Sequence, residues 1–535
     1  MKWLLLRAYA HLLLLGLCAW LVMSLLCGWF AQALALVMPK ADAVVWSALA
    51  GLPIVLLVGW FGISRRALKQ MHKYWGLLLI TFATVIWSSG TASYFRIELD
   101  TWSLPQAAQA QLAAQRKREA GLDEVALQAL TDAALPKVQQ HLQEHAATAS
   151  TWYIQLPSAR AQYFTLNWQS AARSMHQQLL DRSGKPLVAA AEVKWSDPPR
   201  LGTWFFQLHY TLLGALGDLS RYVVAFTALL LLWLSLSGLR LWLITRKYAE
   251  KASVASQLRQ QVLAMTPAVA KADVARADVA KAQRWHIWSG LIALPSLLLV
   301  SSSALVTMLW QLNTSPLNTL YAQNNGQFYA EVLPWLGGSH DAVGTSSVVD
   351  LKLLLAAHSR FPVGKIQVNQ PGADNSTVLL TQAAESQVSN QLAQVVYDRQ
   401  GQVLQTSDSQ SRAGMQLRSY WYGLHQALFA GPLLRVLMAI ASGLLLFVMW
   451  FGLRQWRARR VLAWYWQAIV STILPGVPLV MLSMAVALPI WSQLAQTPSA
   501  LFTEHPPYAG QWLVGLGFCL MINLLRFKLF RTNQQ

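Results

Sequence analysis

The sequence predicts a polytopic α-helical membrane protein. It has about eight transmembrane helices with an internal parallel repeat, and two small α+β domains. Three observations carry this expectation. Of 535 residues, 55% are hydrophobic and only 12% charged, and the apolar residues fall in runs long enough to cross a bilayer. Two polar stretches, 96–203 and 313–418, interrupt those runs. Landmarks of the first half return in the same order 214 to 217 residues later, the signature of a repeat.

Taken in order, residues 1–66 hold two N-terminal spans, 8–37 and 43–63. They are divided by the turn Met38-Pro39-Lys40-Ala41-Asp42 and closed by Ser64-Arg65-Arg66. Lys2 and Arg7 ahead of the first run give it a signal-like look. The run is long and lacks a small-x-small exit, so it reads as a retained span. Region 67–95 is the third span, entered at His72. Region 96–203 predicts a helix over Glu119–Ala147, strands over Thr151–Leu156 and Gln162–Trp168, and a turn at Asp181-Arg182-Ser183-Gly184-Lys185-Pro186. Region 204–245 is a short helix followed by the fourth span. Region 246–284, basic and alanine-rich, predicts a helical linker. The fifth span lies in 285–312. Region 313–418 predicts a helix followed by an antiparallel sheet, with strands at Val363–Val368, Ser376–Thr381, Gln394–Asp398 and Gly401–Leu404. A short helix and the sixth span occupy 419–457, and two last spans, about 462–491 and 510–530, lie in 458–535.

The net charge of +19 would suggest nucleic acid in a soluble protein. Here the basic residues flank spans instead. With eight spans, Arg65/Arg66/Lys69/Lys73, Arg246/Lys247, Arg457/Arg459/Arg460 and Arg526/Lys528/Arg531 fall on one side, which the positive-inside rule makes cytoplasmic. Both termini are then cytoplasmic, and the two polar domains face the periplasm of a bacterial inner membrane. Many of the 25 tryptophans sit near span ends, where indole suits the headgroup layer. Cys18, Cys27 and Cys519 all lie in apolar segments and make no disulfide framework or metal motif.

The repeat pairs His72 with His286, Leu208-His209 with Leu424-His425, Gly238-Leu239-Arg240 with Gly452-Leu453-Arg454, and Asp181-x-x-Gly184 with Asp398-x-x-Gly401. Both copies run in the same direction, so the pseudo-axis stands normal to the membrane. His72 and His286 then share one depth near the cytoplasmic face, and His209 and His425 share one near the outer face. Two imidazoles meeting across an axis make a bis-histidine site for b-type haem. A span of roughly 30 Å separates the two levels, so the sequence predicts two haems and a path for electrons. Arg240 and Arg454 are candidate propionate partners, since guanidinium binds carboxylate bidentately; a positive-inside anchor is the plainer role. Among the other histidines, His11 in the first span is a competing ligand or a packed residue. His141 and His145 have metal-compatible spacing but read as a solvated face. His176, His340, His358 and His505 receive no role. No Gly-rich dinucleotide fingerprint or catalytic triad is present.

His72-Lys73-Tyr74-Trp75-Gly76, Ser89-Gly90-Thr91 at the far end of that span, Leu208-His209, the Asp-x-x-Gly turns and the Gly-Leu-Arg-x-Trp exits together resemble the PepSY-associated transmembrane family, over about 71–457. The resemblance implies PepSY-like outer domains and an iron-regulated inner-membrane protein. It further implies a haem-dependent reductase of a periplasmic ferric siderophore, supplied with electrons by quinol or a cytoplasmic reductase. Hydroxamate and catecholate oxygens hold Fe(III) far better than Fe(II), so one electron releases the iron. Two other readings compete: a non-enzymatic scaffold whose PepSY-like domains bind or inhibit a partner protein, and a small-molecule transporter.

Overall fold

A computed structural model describes residues 25–40, 42–48, 64–170, 174–193, 200–263, 270–308, 315–321, 328, 349–389, 392–407, 413–457, 469, 472–482 and 515–523. The chain divides into two compact units. One comprises Met1–Val55, Pro105–Val193 and Leu305–Phe429; the other comprises Leu56–Leu104, Lys194–Ala304 and Ala430–Gln535.

The helical unit is built on α1 (Arg65–Ser93), α2 (Arg96–Trp102), α5 (Leu201–Thr211), α6 (Leu219–Leu263), α7 (Ala270–Thr307) and α11 (Pro432–Arg457). Among the described residues, three stretches are long and apolar enough to cross a membrane: Leu219–Arg246, Val279–Thr307 and Pro432–Trp456. Arg65–Leu77 and Phe82–Ser93 together make a fourth, bent by 62°. The sequence expectation of eight spans therefore stands at three or four here. Most of the expected spans 8–37, 43–63, 462–491 and 510–530 lies outside the described residues. Leu25–Leu34 and Thr472–Leu482 appear as shorter apolar helices.

Physical reasons for these helices are local. Ser64 caps α1 by accepting from the backbone N–H of Ala67, which satisfies one orphan donor. The hydroxyls inside α1 turn back on their own helix: Thr84 donates to Ile80 O, Ser89 to Val85 O, Thr91 to Trp87 O and Ser93 to Ser89 O. In that way these four hydroxyls enter an apolar span with their hydrogen bonds met; the buried Ser88 hydroxyl in the same helix has no partner among the described residues. Leu79, Ile80, Ala83 and Trp87 of α1 pack with Leu231 of α6, Ala293 and Leu297 of α7, and Leu445, Met449 and Leu453 of α11. Trp87 Nε1 ties α1 to α11 by donating to Ser442 O at 2.7 Å. At α2, Asp100 accepts from the backbone N–H and the hydroxyl of Thr203, joining it to α5.

The other unit holds α3 (Gln106–Glu119), α4 (Glu124–His145), β1 (Thr151–Gln155), β2 (Tyr163–Gln169), β3 (Met175–Asp181), β4 (Ala191–Glu192), α8 (Ser315–Tyr321), α9 (Leu351–Ala357), β5 (Val363–Asn369), β6 (Thr377–Gln382), β7 (Gln394–Tyr397), β8 (Val403–Ser407) and α10 (Ala413–Gln426). The helix expected over Glu119–Ala147 is shorter, because Ala120-Gly121-Leu122 breaks it from α3 and Gly121 takes a positive φ of 91°. The strands of both polar stretches join one antiparallel sheet, ordered β4-β3-β2-β1-β5-β6-β7-β8. The order reads outward in the same way from its centre. There β1 and β5 pair in register, Trp152 with Val368, Tyr153 with Gln367 and Ile154 with Ile366.

Strand alternation sends Trp152, Ile154, Phe164, Leu166, Ile366, Val368, Val378 and Leu380 to one face. Leu135, Val138 and Leu142 of α4, with Leu351, Leu354 and Leu355 of α9, cover them. Gln139 stitches the two helices: it accepts from Leu351 N and donates to Val349 O. The opposite face is amide-rich, with Gln155, Asn167, Gln177, Gln367 and Asn369 at alternate positions. Lys365 rests on that face 4.8 Å above the Tyr153 ring. Burial holds its ammonium below the ordinary lysine pKa and pushes the Tyr153 phenol up.

Asp181 and Asp398 close the two turns. Asp181 accepts from the backbone N–H groups of Ser183 and Lys185, from the Ser183 hydroxyl and from Gln111. Asp398 accepts from Gln400 N and Gln402 N. Gly184 and Gly401 supply the positive φ, 83° and 79°, which an L side chain takes only under strain. Burial alone would raise the Asp181 pKa; the hydrogen bonds from Ser183, Gln111 and Lys185 outweigh it and hold the carboxyl low.

Asp181→Ala is expected to destabilise the full chain by about 1–3 kcal/mol, because it removes a buried carboxylate that accepts four hydrogen bonds at once. Asp398→Ala, at an exposed turn, should cost a fraction of that. Because the folded pKa of Asp181 lies below its unfolded value, its contribution is complete above the ordinary carboxylate pKa and is lost as pH falls through the depressed one. Thermal midpoints of the detergent-solubilised variants at neutral and acid pH check both statements; equal losses at the two turns would contradict them.

Candidate functional site

The structure brings His72 and His286 together. His72 sits in the second turn of α1 and His286 in the span of α7; their ring centroids lie 6.4 Å apart with planes at 75°. Each ring is anchored through Nδ1 to another helix. His72 Nδ1 lies 2.8 Å from Ser237 Oγ on α6, and His286 Nδ1 lies 2.8 Å from Val448 O on α11. A carbonyl can only accept, so His286 carries its proton on Nδ1 and leaves the Nε2 lone pair free.

A glycine lies against each ring. A Cβ built on Gly238 of α6 would stand 3.2 Å from His72 Cε1, and one on Gly452 of α11 would stand 3.2 Å from His286 Cε1. The arginines of the same motif follow two residues later. Arg240 is half-buried, and its Nη1 is fully enclosed with no hydrogen-bond partner. Arg454 is exposed.

His209 occupies the last turn of α5. Its Nδ1 lies 2.8 Å from Ile86 O of α1, and Gly90, one turn on, leaves the space for its ring: a Cβ there would sit 2.7 Å from the imidazole. His425 is half-buried in the last turn of α10, in the unit that carries the sheet. Both helices end in a left-handed turn just past the histidine, at Leu212 and Leu213 (φ 50° and 57°) and at Ala427 (φ 50°). Such backbone is costly for residues with a Cβ.

Several partners of these histidines escape a sequence reading. Ser237, Val448 O and Ile86 O carry no motif of their own. Gly238 and Gly452 stand in the repeated exit motif, and their separation from the histidines is the same in both halves. That equality was the available signal. Of the remaining histidines, His141 and His145 stack at 4.1 Å, with His141 Nε2 2.6 Å from Gln178 Oε1. His176 stacks on Trp168. His358 Nδ1 lies 2.8 Å from the Tyr397 hydroxyl; burial and then the Arg360 charge push its pKa down. His11, His340 and His505 lie outside the described residues.

The family model described as the PepSY-associated TM region matches residues 69–459, a stretch that contains every histidine and arginine of this site. No curated protein matches the chain.

The glycine contacts give a graded expectation. Gly→Ala inside a helix gains up to about 1 kcal/mol of helix propensity, and overpacking costs about 1–3 kcal/mol. Gly443→Ala in α11 meets open space and should be neutral or stabilising. Gly238→Ala and Gly452→Ala should roughly cancel, while Gly90→Ala, which must displace the His209 ring, should lower stability most. Thermal midpoints of the four variants check the order; a Gly90→Ala protein as stable as Gly443→Ala would refute it.

Proposed function

We propose that this chain, which belongs to the PepSY-associated TM family, is a haem-dependent inner-membrane reductase that delivers electrons to a ferric siderophore outside the membrane. The observation that carries the reading is the His72–His286 pair. Two metal–imidazole bonds of about 2 Å each, together with the depth of two rings, fill a centroid separation of this size. Among the described residues no three histidine, cysteine or acidic side chains group into a metal site. A metal held by two imidazoles alone takes its other ligands from a non-protein group, and a haem, which His72 and His286 would hold, meets that need.

The residues fit the group in three respects. Nδ1 anchoring to a neighbouring helix is the outer support that metal-ligating histidines ordinarily have. Gly238 and Gly452 keep the flank of each ring clear. The enclosed, partnerless Nη1 of Arg240 asks for an acceptor, and a haem propionate is one; Arg454 serves the same role from the other half. Haem bound here would supply one-electron chemistry at the level of the cytoplasmic face. In the same reading His209 and His425 would be ligands of a second haem, as the sequence repeat implies. The protein's part is to hold imidazoles in fixed tautomers, exclude water from the rings and keep the chelate close to the outer site. Quinol or a cytoplasmic reductase gives the electron. The siderophore's iron goes from Fe(III) to Fe(II), which hard oxygen donors hold poorly. The internal repeat, both termini in the cytoplasm and the sheet in the periplasm are parts of the same reading.

Protein purified from haem-replete cells is expected to give a reduced-minus-oxidised spectrum with b-type bands and two haems per chain. His72→Ala and His286→Ala should each remove one haem and stop chelate reduction. His209→Ala should remove the other. A colourless, well-folded preparation would instead favour a scaffold that binds a partner through the sheet.

A further inference from the structure

The two inner histidines are anchored differently, and the difference falls on one side chain. In the sequence repeat, His72 corresponds to His286, Gly238 to Gly452 and therefore Leu234 to Val448. His286 reaches the Val448 carbonyl directly. His72 does not reach the corresponding Leu234 carbonyl. Ser237 stands between them: its Oγ donates to Leu234 O at 3.0 Å and lies 2.8 Å from His72 Nδ1. At the position of Ser237 the second half carries Phe451, which stacks on Trp285 at 6.0 Å.

A serine hydroxyl has one proton and can give it to one acceptor. When that proton goes to Leu234 O, Oγ can only accept from His72, so the imidazole proton must sit on Nδ1 and Nε2 is left as a lone pair. When the hydroxyl turns to His72 instead, Nδ1 is the acceptor, Nε2 carries the proton and the ring cannot ligate. The carbonyl at His286 permits only the first arrangement. At His72 the hydroxyl permits both, and its contact with Leu234 O selects the competent one.

We infer that Ser237 is a positioning residue: it fixes the ligating tautomer of His72 by relaying the acceptor strength of the Leu234 carbonyl to Nδ1. The inference rests on the bis-imidazole reading above. Partners of this kind ordinarily change metal affinity about 10–100-fold when removed, because the remaining N–H is left unmet or the proton shifts to the ligating nitrogen.

The test uses the full-length chain in detergent or nanodiscs, comparing wild type with Ser237→Ala, Ser237→Cys and Ser237→Thr. Cysteine is nearly the same shape but a poor hydrogen-bond acceptor, so it separates hydrogen bonding from packing and folding. Haem loss to an excess of a high-affinity haem-binding apoprotein and the midpoint potential of the inner haem are the readouts. Ser237→Ala and Ser237→Cys should bind the inner haem about 10–100-fold more weakly and raise its potential. Ser237→Thr should behave as wild type, and the outer haem should be unchanged throughout. Wild-type affinity and potential in the cysteine variant would overturn the inference while leaving the haem reading intact. A wild-type protein without haem would overturn both.

Discussion

The helical unit depends on hydrogen bonds that cross from one span to the next through imidazole Nδ1. His72 ties α1 to α6, His286 ties α7 to α11, and His209 ties α5 to the carbonyl of Ile86 in α1. In a bilayer such a bond cannot be traded for one to water, so a polar ring is tolerated only where a partner is built for it. Each of these rings also needs volume that a side chain would fill, and a glycine provides it in all three cases. Apolar side chains of α1, α6, α7 and α11 pack in one cluster, but that packing does not fix which nitrogen carries the proton. The cross-helix bonds do: a carbonyl acceptor places the proton on Nδ1 of His286 and of His209.

The sheet obeys a different constraint. Each half contributes a meander too small to bury both faces alone. Pairing β1 with β5 removes two edges at once and puts Trp152, Ile154, Ile366 and Val368 beneath a continuous cover of α4 and α9. Unpaired edge strands invite association with other chains, so joining at the centre also limits that liability. Gln139, which serves both the N–H of Leu351 and the carbonyl of Val349, shows how closely the two helices are fitted over that seam.

Much of this was legible in the sequence because it rests on period and register. The strands at Thr151, Tyr163, Val363 and Thr377 announce themselves by alternation, and the turns by Asp-x-x-Gly, where the carboxylate and the glycine do separate physical jobs. The spans of α6, α7 and α11 follow from unbroken apolar runs. What could not be read is what depends on the third dimension. The joining of two meanders at β1 and β5 leaves no local trace. Ser237 looks like any small residue of a span, and main-chain acceptors such as Val448 O and Ile86 O are invisible to residue identity. The break at Gly121 was readable as a glycine, but the helical pattern on both sides masked it.

The spacing of His72 and His286 would by itself suit an edge-to-face ring pair, for which centroids of 4.5–7 Å are ordinary. Two features argue beyond that. A ring pair held for its own sake has no need to direct both Nδ1 atoms away to other helices. Nor does it need a cleared flank on each side, since Gly238 and Gly452 give up helix propensity of about 1 kcal/mol each relative to alanine. A half-buried imidazole in an apolar span already carries the penalty of desolvating a polar group. The enclosed, partnerless Nη1 of Arg240 lies on the same helix as Ser237 and Gly238 and is one more polar group of the repeated motif that lacks an acceptor among the described residues.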